Sequence, residues 1–157
     1  MTAEGMTKPE GPAARRPGAR LTRIAGYGLA AAFAAVGVIF LFWPGRLLAF
    51  FDRLSRPLGM PAPPASDASL FLILSVAYMV VVTVLAWNMG RRPEETIYAR
   101  LLAVAKISSA LLSLGFFILR ARYLVVLVNG AVDGLIGLGV LWLSLWAEQA
   151  AKRAEVD

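Results

Sequence analysis

Two charged residues interrupt apolar stretches of the sequence, and they are the first candidates for chemistry. Lys106 lies in one apolar run and Asp133 lies in the next. An isolated charge in hydrocarbon is costly, so such residues mark a partner, a cavity or an ion path. If both runs are helices joined by a tight turn at Ala121, Asp133 lies opposite Ser109, and Lys106 lies one turn from Ser109 on the same face. The spacing therefore predicts that Lys106 and Asp133 pair inside a helix bundle.

Other polar residues extend this pair into a candidate intramembrane polar cluster. Counting equal numbers of residues in both directions from Ala121 (the mirror relation) also places Asn129 opposite Ser113. Tyr78 lies at a similar depth in the preceding apolar run. The cluster consists of Lys106, Asp133, Tyr78, Ser109, Ser113 and Asn129. Three interpretations stay open: a pair that only specifies packing, a solute or proton site, or a Lys106 side chain that extends alone to the headgroups.

The residue types that the chain lacks narrow its chemistry. It has no histidine and no cysteine, which removes thiol catalysis, iron–sulfur ligation, the usual zinc sites and histidine bases. The sequence also contains no Gly-rich phosphate loop, no G-x-S-x-G and no acidic cluster with metal-ligand spacing. It predicts a non-enzymatic protein with no catalytic residue, no metal and no cofactor.

Composition identifies the class of protein. Of 157 residues, 59% are hydrophobic and 17% are charged, whereas soluble domains carry roughly 45–50% apolar and about 25% charged residues. Four apolar spans are predicted at about 24–43, 68–89, 99–119 and 123–146. A helix of twenty residues is ~30 Å long and matches a bilayer core. The fold class is therefore an all-α, polytopic membrane protein with a bundle of four transmembrane helices.

The predicted boundaries divide the chain into three parts. They are a disordered basic tail at 1–20, a transmembrane domain at 21–147 and a cytoplasmic tail at 148–157. The first span is too long for the apolar region of a signal peptide, which favours a retained signal anchor. Between the first two spans, Leu47, Phe51, Leu54 and Leu58 recur at helical spacing. This pattern predicts a short amphipathic helix at about 46–57, which either lies on the outer membrane surface or packs as a lid on the bundle end.

Small residues at spacings of three or four residues predict close helix packing. They form two sets, Gly130, Gly134 and Gly137 in the last span and Gly26, Ala30 and Ala34 in the first. Within one chain such sets indicate packing between its own helices more often than dimerisation.

The basic residues predict the orientation. The net charge is +6, and the basic residues flank apolar spans, so lipid headgroups explain them better than nucleic acid does. Ten Lys and Arg residues fall on the side of the two termini and five on the other side, which predicts that both termini are cytoplasmic. An Ala-, Gly- and Arg-rich start suggests a GC-rich bacterium, and hence the inner membrane.

Four features of residues 24–146 resemble the DoxX-like small four-helix membrane proteins. They are Trp43-Pro44 at the end of the first span, Tyr78 in the second, Lys106 in Leu-Leu-Ala-Val-Ala-Lys-Ile-Ser-Ser, and Asp133 in Val-Asn-Gly-Ala-Val-Asp-Gly-Leu-Ile-Gly-Leu. Some members of that family are associated with membrane redox systems. The resemblance implies that this chain would act there through a partner or a bound quinone, and it carries over no catalytic residue.

Three functional hypotheses follow. The first is a non-enzymatic accessory or interaction subunit, whose partners are membrane lipids and another membrane protein or a second copy. The second is a small-solute or proton-coupled transporter that uses Asp133 and Lys106. The third, implied by the resemblance, is a quinone- or lipid-binding partner of a membrane redox system.

Overall fold

The computed structural model describes residues 18–61, 69–120 and 122–154. These residues form α1 (Ala19–Phe42), α2 (Pro44–Ser55), a 3-10 turn (Arg56–Leu58), α3 (Ser69–Arg91), α4 (Thr96–Leu119) and α5 (Leu124–Ala154). No strand occurs among them, and the all-α prediction is confirmed. α1, α3, α4 and α5 are each long and apolar enough to cross a membrane. The chain is a four-helix bundle of the multi-pass membrane class.

The four long helices are arranged as two antiparallel hairpins. α1 packs along α3 and α4 packs along α5, while α3 meets α4 over a smaller area and α1 meets α5 over a smaller one still. All four helices contribute to one buried cluster, which consists of Ala30, Phe33, Val82, Ala86, Met89, Ala99, Leu102, Ala103 and Val140. Most other apolar side chains on these helices point outward, as expected where the surroundings are lipid.

The α1–α3 hairpin depends on a close approach of two backbones. A Cβ atom on Gly26 would lie 2.6 Å from the Cα of Gly90 and 2.8 Å from the carbonyl oxygen of Ala86. Ala30, one turn further along α1, is buried in the cluster. Ala34, the third member of the predicted set, is exposed and lines an open groove between the two helices.

The predicted glycine set on α5 is not uniform. A Cβ atom on Gly137 would lie 2.8 Å from Ile107 Cγ1 and 3.0 Å from the Ile107 backbone nitrogen. One on Gly130 would lie 2.9 Å from Leu114 Cγ. One on Gly134 would lie 3.5 Å from Ala110 Cβ, which is an ordinary contact. Packing on α4 therefore requires small residues at Gly130 and Gly137 but not at Gly134.

The amphipathic helix is present as α2 and begins two residues earlier than the predicted position. It contacts both α1 and α5, yet Leu48, Phe50 and Leu54 are exposed. Ser55 is buried at its end, where its hydroxyl donates a 2.8 Å hydrogen bond to the Asp52 carbonyl oxygen. α2 thus packs on the bundle along one edge and presents apolar side chains outward along another.

The starts of α1 and α4 and the end of α5 differ from the predicted boundaries. α1 begins at Ala19, five residues before its predicted span and inside the predicted tail at 1–20. α5 continues to Ala154, although the sequence predicts a tail from residue 148. No Gly or Pro follows Trp146 to end the helix, and Glu148 is held by a 2.6 Å ion pair with Arg100. α4 begins at Thr96, three residues before the predicted span. The predicted tail at 1–20 lies outside the described residues up to residue 17, and so do residues 155–157.

Candidate functional site

The centre of the bundle contains a buried ion pair between α4 and α5. Lys106 Nζ lies 2.8 Å from Asp133 Oδ1, and the two side chains are 1% and 6% exposed. A buried pair is stable only when the geometry is good, because both charges lose their hydration. The contact that the mirror relation predicts is therefore formed, and Lys106 does not extend to the headgroups.

Helical spacing on α5 explains why this pair meets. Gly130, Asp133 and Gly137 follow one another at three and four residues, so they share one face of the helix. The two glycines bring α5 close to α4 on either side of Asp133. The carboxylate therefore reaches Lys106 across a short gap.

Two aromatic rings enclose the lysine ammonium. Lys106 Nζ lies 4.4 Å from the centroid of the Phe33 ring of α1 and 5.1 Å from that of Tyr78 of α3. Both distances suit cation–π attraction, which strengthens where water is excluded. With Asp133 on α5, the ammonium contacts side chains of every other membrane-spanning helix. Phe33 was not among the predicted site residues, since the sequence does not distinguish an aromatic residue of a binding site from one that only packs in an apolar run.

Tyr78 faces Lys106 with its ring and not with its hydroxyl. Its hydroxyl donates a 3.1 Å hydrogen bond to the Ala105 carbonyl oxygen, and Ser109 lies beside it. Tyr78 therefore contributes its ring to Lys106, whereas its hydroxyl faces another part of α4. Within the described chain, Asp133 Oδ2 has no hydrogen-bond partner.

Asn129 and Ser113 form a second, separate contact. Asn129 Nδ2 donates a 2.9 Å hydrogen bond to Ser113 Oγ, again as the mirror relation predicts. Asn129 is exposed, unlike the ion pair. The six residues of the candidate cluster thus divide into a buried charged centre and a polar contact at the bundle surface.

An open groove connects these features along α3 and α4. Its volume is about 400 Å³, and its lining consists of Tyr78, Ala105, Ser108, Ser109, Leu112 and Ser113. Ser108 is exposed near the midpoint of α4, and no hydrogen bond of its hydroxyl occurs within the described ranges. This groove (the α3–α4 groove) therefore presents hydroxyl groups at the depth of the hydrocarbon core.

A second groove runs along α1 and α3 and is apolar. Its volume is about 280 Å³. Its lining consists of Phe33, Ala34, Gly37, Val38, Leu41, Val76, Met79, Val80, Thr83 and Val84. The one hydroxyl there, that of Thr83, donates a 2.6 Å hydrogen bond to the Met79 carbonyl oxygen. This groove (the α1–α3 groove) offers only dispersion contacts to an occupant.

Metal binding finds no support among the described side chains, since they contain no group of three or more His, Cys, Asp or Glu residues that could hold an ion. Comparison of the chain with family models, curated proteins and solved structures finds no match in any of the three.

Proposed function

We propose that this chain is a non-enzymatic accessory or interaction subunit that binds another membrane helix along the α3–α4 groove. The observation that carries the proposal is the unpaired Ser108 hydroxyl at mid-depth of α4, beside Ser109, Ser113 and Tyr78. Hydroxyl groups that face hydrocarbon gain from a hydrogen bond across a helix interface, by about 0.6 kcal/mol on average. The limited contact between α3 and α4 leaves room for such a helix.

The buried ion pair supports a non-enzymatic role. Lys106 and Asp133 neutralise each other behind the Phe33 and Tyr78 rings. A general acid or base must come within hydrogen-bond reach of its substrate, and both side chains are almost fully buried. We assign the pair to the assembly of the bundle.

Photo-crosslinking in the membrane tests the interaction proposal. A photoreactive residue replaces Leu112, which lines the α3–α4 groove and is 75% exposed. The matched control replaces Leu135 of α5, which is 74% exposed and lies away from that groove. We expect a protein adduct of defined mass from position 112 and none from position 135. Crosslinks to lipid alone at both positions, with purification of the protein by itself in mild detergent, would contradict the proposal.

We further propose a bacterial inner membrane location with both termini in the cytoplasm. The excess of Lys and Arg on the side of the termini supports this orientation. Reporter fusions test it: a fluorescent protein at the C-terminus should be active, and alkaline phosphatase inserted after Gly59 should be active as well. The opposite pair of results would reverse the orientation.

A proton-coupled or small-solute transporter is a second candidate, and the unpaired Asp133 Oδ2 favours it. A buried acceptor without a partner costs about 1–3 kcal/mol, and a transported proton or a donor group on a solute would remove that cost. The test is flux into proteoliposomes by wild type and Asp133→Asn. Equal flux in the two proteins would remove this candidate.

A quinone- or lipid-binding role of the DoxX-like kind is a third candidate. The hydroxyl groups of the α3–α4 groove can donate hydrogen bonds to carbonyl oxygens, and about 400 Å³ lies within the ~300–1,000 Å³ typical of ligand pockets. Solvent extraction of protein purified in mild detergent tests this role. A preparation that contains neither quinone nor stoichiometric lipid would contradict it.

A further inference from the structure

Exposed arginines lie at the end of the α1–α3 hairpin where α1 begins and α3 ends. Arg23 lies near the start of α1, Arg91 ends α3, and both are exposed. The close contact of Gly26 with Gly90 joins these two helix ends, and a Cβ atom on Gly90 would lie 3.2 Å from the Arg23 carbonyl oxygen. The two arginines therefore lie at the same end of the hairpin on neighbouring helices, where they form one basic patch.

An aromatic pair lies next to that patch. The rings of Tyr27 and Trp87 meet edge to face, with centroids 5.0 Å apart, and are 37% and 53% exposed. Arg23 precedes Tyr27 by four residues and Arg91 follows Trp87 by four, so each arginine shares a helix face with a ring. Both arginines thus lie one turn nearer the helix ends than the rings.

The α1–α3 groove continues from this aromatic pair toward the centre of the membrane. Ala34 follows Tyr27 by seven residues and lies ~10 Å deeper along the helix. On α3, Val84 and Val80 precede Trp87 by three and seven residues. All three line the groove. One face of the hairpin therefore changes, in order, from cationic to aromatic to apolar.

The described residues provide no ion-pair partner for this patch. Two other arginines near this end are paired, Arg92 with Glu95 at 3.1 Å and Arg100 with Glu148 at 2.6 Å. Within the described part of the chain, no ion pair includes Arg23 or Arg91. Guanidinium groups bind phosphate oxygens through two parallel hydrogen bonds, and basic surfaces at the membrane interface attract anionic lipids.

We propose that this face of the α1–α3 hairpin is a binding site for one anionic phospholipid. Arg23 and Arg91 hold the phosphodiester, Tyr27 and Trp87 contact the glycerol region, and an acyl chain lies in the α1–α3 groove. A lipid accounts for all three zones, whereas free phosphate would use only the first. The site is separate from the α3–α4 groove, so it does not depend on the proposed interaction with another helix.

Native mass spectrometry of the full chain tests the headgroup contacts. The protein is extracted from vesicles of phosphatidylcholine with one-fifth phosphatidylglycerol, and retained lipid is counted. Arg23→Gln with Arg91→Gln should lower retention of phosphatidylglycerol about tenfold and leave phosphatidylcholine unchanged. The matched control, Arg46→Gln with Arg53→Gln, removes the same charge from exposed positions on α2 and should change neither lipid.

Three results would overturn the headgroup assignment. They are an equal loss of phosphatidylglycerol in both double variants, no loss in either, and displacement of phosphatidylglycerol from the wild type by millimolar inorganic phosphate. Arg23→Lys with Arg91→Lys keeps the charge but not the paired hydrogen bonds, so we expect an intermediate loss. This variant also keeps the test decisive if the glutamine variant is poorly folded.

The acyl-chain contact has its own test. Ala34→Trp fills the α1–α3 groove, and Ala35→Trp places the same ring at an exposed neighbouring position that does not line it. We expect Ala34→Trp to lower retention of long-chain phosphatidylglycerol several-fold, with no effect on the dihexanoyl form and none from Ala35→Trp. Equal retention in the two variants would remove the groove from the site.

Discussion

The two hairpins of the bundle are held together in different ways. Between α1 and α3 a close contact joins the backbones at Gly26 and Gly90, and the groove on one face of this hairpin is apolar. Between α4 and α5 the contacts include the buried Lys106–Asp133 ion pair. The first interface depends on shape and the second depends on shape and charge together. In lipid the hydrophobic effect does not drive helices together, so each interface needs close packing, an ion pair or both.

This contrast has a consequence for specificity. An apolar close contact tolerates lipid on either side of it, because neither partner is costly when separated. A charged residue in hydrocarbon is costly until its partner is in place. The α4–α5 hairpin should therefore fix the register of the whole bundle, since the Lys106 ammonium also contacts rings from α1 and α3.

The largest expected effect comes from separating the charges of the α4–α5 hairpin. Lys106→Leu or Asp133→Leu alone leaves one buried charge without its partner and should destabilise the protein by about 3–5 kcal/mol. The double variant removes both charges and should recover most of that loss. The measurement is unfolding in mixed detergent micelles. Three equally stable variants would show that the pair does not hold the hairpin together.

The next largest effect is expected in the α1–α3 hairpin. Gly26→Val places side-chain atoms against the Gly90 backbone and should cost about 1–3 kcal/mol from overpacking. Gly28→Val is the control, because a Cβ atom there meets nothing within 4 Å. Both variants carry the same change in helix propensity, since Val is a better helix former than Gly. The same unfolding assay should separate them, and equal stability would mean that the close contact is dispensable.

A smaller effect should distinguish the glycines of α5. Gly137→Ala meets the backbone and side chain of Ile107 and should destabilise by about 1 kcal/mol. Gly134→Ala and Gly139→Ala have room for the methyl group, and their higher helix propensity should make them neutral or slightly stabilising. The thermal midpoint in detergent is the readout. A larger loss at Gly134 than at Gly137 would reverse this assignment.

The smallest effect concerns the contact at the surface of the α4–α5 hairpin. Asn129→Leu removes the hydrogen bond to Ser113 and should cost about 0.6 kcal/mol, well below the cost of breaking the ion pair. Ser113→Ala should give a similar value, and the double variant should cost little more than either single one. Additive losses would show that the two side chains act independently.

The sequence was sufficient to predict the four apolar spans and the register of the α4–α5 hairpin. Apolar length predicted four spans, and the turn around residue 121 was short enough that counting placed Asp133 near Lys106 and Asn129 near Ser113. Both contacts are formed. Such counting works only where a tight turn links two helices, because each residue then has a unique opposite.

The register of the α1–α3 hairpin could not be predicted in this way. A long connection separates α1 from α3, so the register between them could not be counted from the sequence. Gly90 precedes Arg91, Arg92 and Pro93, and this combination reads as a helix stop signal rather than as a packing position. The place of the Phe33 ring beside Lys106 follows from that register and was missed with it. α5 continues past the predicted span end at residue 146, since apolar length predicts the part of a helix that crosses a membrane and not where the helix stops.

The length of α5 matters for anything attached to it. Its 31 residues make a rod of ~46 Å, against a hydrocarbon thickness of ~30 Å. Glu148, six residues before the end of α5, forms a 2.6 Å ion pair with Arg100 of α4, so α5 is held to its neighbour close to the point where α4 begins. If the helix continues into a probe or domain fused after Ala154, the fused part has a defined position along the axis of α5. One added or removed residue would rotate it about that axis by about 100°.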